Sequence, residues 1–169
     1  MEKVSDFLEA VVARIGRVAM WSNGVLVLII MLQIILRYVF NNGLVALEEL
    51  EWHLYAAGIM TGASYAMVKD VHIRVDLFHT RFSDRTRHVL EIFGILVLLL
   101  PFAGVVFHQS LDFVHEAWRL GERSPSPMGL PWRWAVKALL PFGFGLMILA
   151  AVARLLRSAV ALRRSGHGA

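Results

Sequence analysis

The sequence predicts an all-α integral membrane protein with four transmembrane helices plus an N-terminal amphipathic interfacial helix. Three observations carry that prediction. Apolar residues make up 57% of the 169, against about 45–50% in an average soluble domain, and the mean hydropathy is +0.61. The apolar residues gather into stretches close to the ~20 residues that cross a hydrocarbon layer. The charged residues fall at the edges of those stretches. The whole chain, 1–169, reads as a single membrane domain.

The amphipathic helix is expected over 3–16. Val4, Phe7, Leu8, Val11, Val12 and Ile15 recur at helical spacing, with Glu2, Lys3, Asp6, Glu9 and Arg14 on the other faces. A basic amphipathic segment next to a span lies in the interface plane. The first span is expected at 18–36, free of charge and bracketed by Arg17 and Arg37. It is too long for the core of a signal peptide and no small-residue cleavage pattern follows, so it is expected to be retained. The second span, 50–68, carries Glu51 and His53 in its first turn. The third, 89–111, has Glu91 at one edge and Pro101 within. The fourth, 135–155, has Lys137 near its start and Pro141 just inside. Each proline removes a helical hydrogen bond and is a candidate kink. Residues 121–131, rich in Gly, Ser and Pro, form an irregular connection. Trp132 and Trp134 mark the interface where the fourth span begins. Residues 156–169 form a tail.

Four spans place both termini and the middle connection on one side. That side holds Lys3, Arg14, Arg17, Lys69, Arg74, Arg81, Arg85, Arg87, Arg154, Arg157, Arg163 and Arg164. The other side holds only Arg37, Arg119, Arg123, Arg133 and Lys137. The excess of positive charge puts both termini in the cytoplasm of a bacterial inner-membrane protein. With no cysteine, disulfides, thiolate metal sites and cysteine nucleophiles are excluded. The net charge of +4 comes from residues beside the spans, so the basic groups meet membrane lipids and not nucleic acid.

Three polar blocks stand out at the ends of the first two spans. Arg37, Tyr38 and Asn41 close the first span. Glu48, Glu49 and Glu51 open the second, where the helix dipole favours carboxylates. His72 and Asp76 follow it. Glu51 shares a helical face with Tyr55, Gly58 and Gly62, and a Gly58-x-x-x-Gly62 stripe permits close helix approach. Lys137 is expected at the level of the acids, paired with Glu48, Glu49 or Glu51. His72 and Asp76 have no nucleophile or second acid beside them and read as anchors of a cytoplasmic turn. The outer and inner blocks lie on opposite sides of the membrane and cannot form one site. The spans hold only isolated Asn23, Gln33, Thr61 and Ser64, too few polar groups for a chain that conducts alone. No catalytic, substrate-binding or metal residue is expected. His53 and His108 share a predicted level, whereas His88 does not. They keep one alternative open, a haem- or quinone-binding membrane anchor of a respiratory enzyme.

The order Arg37-Tyr38-x-Phe40-Asn41, Glu48-Glu49-Leu50, Gly62-Ala63 and His72-Ile73-x-Val75-Asp76 resembles the small membrane subunit of tripartite ATP-independent periplasmic (TRAP) transporters over nearly the whole chain. The stretch from Gly129 to Pro131 and then Lys137 to Phe144 resembles the mannitol/chloroaromatic-like branch. Ala46 stands where many members carry a tryptophan. The resemblance implies a scaffold subunit of a sodium-coupled, binding-protein-dependent importer of organic acids. Its partners would be a large elevator subunit, which carries the substrate and sodium sites, and a periplasmic substrate-binding protein that it helps to dock. No cofactor is implied for this chain, and it is not an enzyme.

Overall fold

A computed structural model describes residues 2–69 and 84–165. His72 and Asp76 lie outside the described residues. All regular structure among the described residues is helical: α1 (Glu2–Tyr38), α2 (Val45–Val68), α3 (Asp84–Phe93), a π-helical stretch (Gly94–Leu99), α4 (Leu100–Arg119) and α5 (Arg133–Ser165). Three helices are long and apolar enough to cross a membrane, Lys3–Tyr38, Thr86–Arg119 and Arg133–Leu162. The second of these is α3, the π-helical stretch and α4 in line. α2 is not among them. Its length of about 36 Å would suffice at 1.5 Å per residue. Its hydropathy does not, because Glu48, Glu49, Glu51 and His53 open it and Gly, Ala, Ser and Thr fill its middle.

The expected break between an interfacial helix and the first span is absent. α1 runs unbroken through Gly16 and Arg17. The expected apolar face is also rotated. Ser5 and Val12 are buried whereas Val4 and Phe7 are exposed. Arg157 of α5 reaches Asp6 and Glu9 on that side of α1, each at 3.0 Å. The 5/12 face lies on the bundle, with Val4 and Phe7 on the outside.

Pro101 is accommodated without a break in the rod. Proline cannot donate to the carbonyl four residues back, and its ring crowds that carbonyl. The turn before it widens instead, and the Leu100 N–H bonds to the Ile95 carbonyl, five residues back. Pro141 sits inside α5, which continues through it. At the other end of α1, Asn41 adopts φ 49°, a left-handed conformation that asparagine tolerates better than most residues. The Asn42 N–H closes on the Leu36 carbonyl at 2.9 Å and ends the helix.

α5 is the hub. It packs against α1, α2, α3 and α4, while α1 and α2 pack against each other. Its buried face is small: Ala150, Ala151 and Ala153 are at most 2% exposed. Many other buried positions are small or polar, among them Ala103, Ala117, Ser64, Ser110 and Thr61, while Val12, Met67, Ile95 and Leu146 form an apolar cluster with Ala150 and Ala151. Large apolar side chains point outward, including Trp21 and Leu28 on α1 and Leu98 and Phe102 on α3–α4. In lipid there is no hydrophobic gain from helix association, so close approach of small residues and hydrogen bonds between helices hold the bundle. The Ser64 hydroxyl donates to the Gly143 carbonyl at 3.2 Å, linking α2 to α5. A Cβ at Gly143 would lie 2.7 Å from Met60 Cβ, and one at Gly16 2.6 Å from Tyr65 Cδ2. These two glycines set the α2–α5 and α1–α2 spacings.

Candidate functional site

The polar side chains collect at the two ends of the bundle. One end carries the α1–α2 and α4–α5 connections and is called the loop end; the other carries the two chain termini.

At the loop end, Gln33 is 6% exposed and fastens the first connection. Its amide nitrogen donates to the Leu44 carbonyl at 3.2 Å and to Glu48 Oε1 at 3.3 Å, and its oxygen accepts from the Leu44 N–H at 3.5 Å. Arg37 lies 3.5 Å from Glu48 Oε1, with both side chains largely exposed. Two of the residues singled out from sequence therefore meet across the α1–α2 corner. Tyr38 stands exposed beside them.

Glu49 has a different task. Its Oε1 accepts from the Ser124 hydroxyl and its Oε2 accepts from the Leu130 N–H at 2.6 Å. One carboxylate thus grips both strands of the 120–132 connection. Gly129 is required there, because a Cβ would collide with Ser124 and with Glu49 Oε1. The Ser124 hydroxyl and then the Leu130 N–H hold the Glu49 carboxyl below its ordinary value of 4.5, with His53 and Arg133 assisting and desolvation opposing. A depressed carboxylate stabilises the fold above its ordinary titration range, and that contribution is lost as pH falls through the lowered value. Acidification below about pH 4.5 is expected to loosen the connection, seen as a change in tryptophan emission from Trp132 and Trp134. Glu49→Gln should abolish that pH-dependent step, and an unchanged step in the variant would refute the assignment.

Lys137 does not pair with an acid of α2. It bonds to Glu122, which also lies 3.4 Å from Arg133 Nε, and its ammonium sits 3.9 Å from the centre of the Phe113 ring. Glu122 is closer because the connection folds back: the Arg133 N–H bonds to the Glu122 carbonyl at 3.1 Å. Glu122 thus sits directly above the first turn of α5. Sequence reading missed Glu122, although it is the only acid within 120–132 and lies next to the α5 cations. Glu51 gains no partner among the described residues; its Oε1 is buried without a hydrogen bond. On the same face Tyr55 is exposed. A Cβ at Gly58 would lie 2.5 Å from Asn23 Oδ1, whereas one at Gly62 would meet nothing within 4 Å. Close approach is therefore made at Gly58 and not at Gly62.

The termini end is built around Arg154. Its guanidinium bonds to Glu91 and donates to the Met67 carbonyl at 3.0 Å, while Ser158 donates to Glu91 Oε2 at 2.8 Å. His88 lies 3.9 Å from the same carboxylate. Three helices meet there: the last turn of α2, α3 and α5. Sequence reading treated Arg154 only as a topology charge. The overlooked signal is an acid and a base at the same end of consecutive spans.

Two shallow clefts flank the loop-end connection. One of about 250 Å³ is lined by Glu49, Trp52, His53, Ser124 and Arg133. The other, about 330 Å³, lies between Trp118, Trp132 and Trp134, with Glu122 and Arg123 at its rim. Trp118 and Trp134 stack edge to face at 4.6 Å. His53 donates within its own helix, to the Glu49 carbonyl. His108 is exposed on α4, a helix with no substantial contact to α2, so the structure does not bring the two histidines together. Among the described residues no three His, Cys, Asp or Glu side chains group as a metal would require.

An interior rich in small residues, many large apolar residues outside and charges gathered at the two ends define a multi-helix integral membrane subunit whose polar groups brace helices and connections. The family described as tripartite ATP-independent periplasmic transporters, DctQ component, matches residues 26–161. The chain belongs to that family and is a small subunit of a TRAP transporter in the inner membrane. The family is a transporter component and not an enzyme family. No curated protein matches the chain.

Proposed function

We propose that the chain is the static scaffold subunit of a sodium-coupled importer of organic acids, bracing a large elevator subunit and helping to dock a periplasmic binding protein. α2 crosses the membrane as a fourth span, shielded by α1 and α5, and both termini are cytoplasmic. One observation carries the scaffold reading: the interior around α5 is closely packed, by Ala, Ser and Gly contacts and by the Val12, Met67, Ile95 and Leu146 cluster, and the two clefts described above lie at the loop end beside the 120–132 connection. Such a body braces a neighbour better than it moves a substrate. The sodium dependence and the carboxylate substrate rest on the family membership. The loop end, with its tethered connection and exposed Trp132, would face the periplasm and present the docking surface.

The test is reconstitution with the neighbouring large subunit and binding protein in proteoliposomes. Uptake of a radiolabelled carboxylate is expected to need all three chains and an inward sodium gradient. Full uptake without this chain would overturn the proposal. So would a purified chain showing a Soret band that disappears in His53→Ala or His108→Ala.

A further inference from the structure

We propose that the face of α4 carrying His108, Asp112, His115 and Arg119 is the seat of the large membrane subunit, an assignment that rests on the scaffold reading. At 100° per residue these four side chains fall in a stripe about 60° wide, and all four are exposed. Ala103, Ser110 and Ala117 are buried and lie on the opposite side of the helix, toward α5, the helix that α4 packs against. The stripe is therefore the face turned furthest from the rest of the chain.

Its chemistry is wrong for lipid. Glu91 lies in the ion cluster of the termini end, and Asp112 follows it by about 31 Å of helix, close to the ~30 Å thickness of the hydrocarbon layer. Asp112 is then at the boundary, level with Lys137, whose ammonium touches neighbouring Phe113. His108 is one turn, about 6 Å, deeper. Neither His108, Asp112 nor His115 has a side-chain hydrogen bond among the described residues. An unpaired imidazole facing hydrocarbon, with an unpaired carboxylate at its edge, is costly, and intramembrane polar groups face protein or water-filled space. The contrast lies within the same molecule: the outward residues of α1 at comparable depth are Val25, Leu28, Met31, Leu32 and Ile35. The apolar continuation of the stripe, Pro101 and Val105, would be buried against the same neighbour. Gly104 beside it has nothing within 4 Å and admits close approach of another helix. The occupant is thus a membrane helix offering a cation or N–H donor to Asp112 and a hydrogen-bonding group to His108.

The experiment places a benzophenone amino acid singly at 108, 112 or 115, and at Leu28 as control, in the chain co-expressed with the large subunit and the binding protein. After irradiation of membranes, the adduct is identified by mass. Positions 112 and 115 are expected to capture the large subunit in yields at least several-fold above Leu28. Asp112→Lys should reduce co-purification of the large subunit about tenfold. If the large subunit co-purifies with wild-type chain but the stripe captures only lipid, the binding protein, a second copy of the chain or nothing, the inference fails and the scaffold reading stands. If the large subunit does not co-purify with wild type, both fail.

Discussion

Replacing Arg154 with alanine is expected to destabilise the purified subunit by about 3 kcal/mol, the lower end of the range for breaking a buried ion pair. The side chains of Arg154 and Glu91 keep 18% and 25% exposure, which places the pair short of full burial. The loss is large because one guanidinium ties both the Glu91 carboxylate and the Met67 carbonyl to α5. Without it, the Glu91 carboxylate loses its guanidinium partner while Ser158 stays bonded to it, and the Met67 carbonyl at the end of α2 loses a side-chain donor. Most of the cost is the stranded charge and not the pair's net worth. The double variant Glu91→Leu with Arg154→Met should therefore recover most of the lost stability. Thermal unfolding in detergent checks both, and a double variant no better than the single would show that the pair contributes more than compensation of its own charges.

The second large effect is expected at Gly143. Leucine there would drive a side chain into Met60, where even a Cβ lies 2.7 Å from Met60 Cβ and 3.3 Å from its Cα. The backbone of α2 cannot yield as a flexible side-chain end would. Overpacking costs about 1–3 kcal/mol, and spreading the helices would also break the Ser64 bond to the Gly143 carbonyl. Gly62→Ala is the matched control, because nothing lies within 4 Å of its added Cβ. Gly143→Leu should lower the unfolding temperature by several degrees and Gly62→Ala by none. Equal effects would refute the assignment of the α2–α5 contact.

The helices were legible because lipid imposes a blunt rule on sequence: long uncharged stretches bounded by charge. The residues that decide their packing were less so. A glycine stripe such as Gly58-x-x-x-Gly62 shows that a helix permits close approach, but not which of its glycines is approached. That depends on helix rotation, fixed here by contacts distant in sequence such as Asp6 and Glu9 with Arg157. Arg37 and Glu48 could be suspected as partners because a short connection joins them. Lys137 could not be assigned, since Glu48, Glu49 and Glu51 were equally plausible by level alone. The fold-back of 120–132, gripped by Glu49 and read only as irregular from its glycines and prolines, brings Glu122 nearest. The continuity of α1 from Glu2 to Tyr38 was not legible because the amphipathic pattern of 3–16 shows no partner, whereas Asp6 meets a cation 151 residues away in sequence.

The position of α5 also has a consequence in time. Synthesis is vectorial, and the helix that all the others touch is made after them. Until it arrives, α1 and α2 have only each other, and α3 and α4 have no substantial neighbour within the chain. The Glu91 carboxylate and the Met67 carbonyl wait for an arginine that has not yet been made. Nascent chains halted before residue 154 should accordingly be held by the insertion machinery or degraded, and release into the bilayer should coincide with emergence of α5.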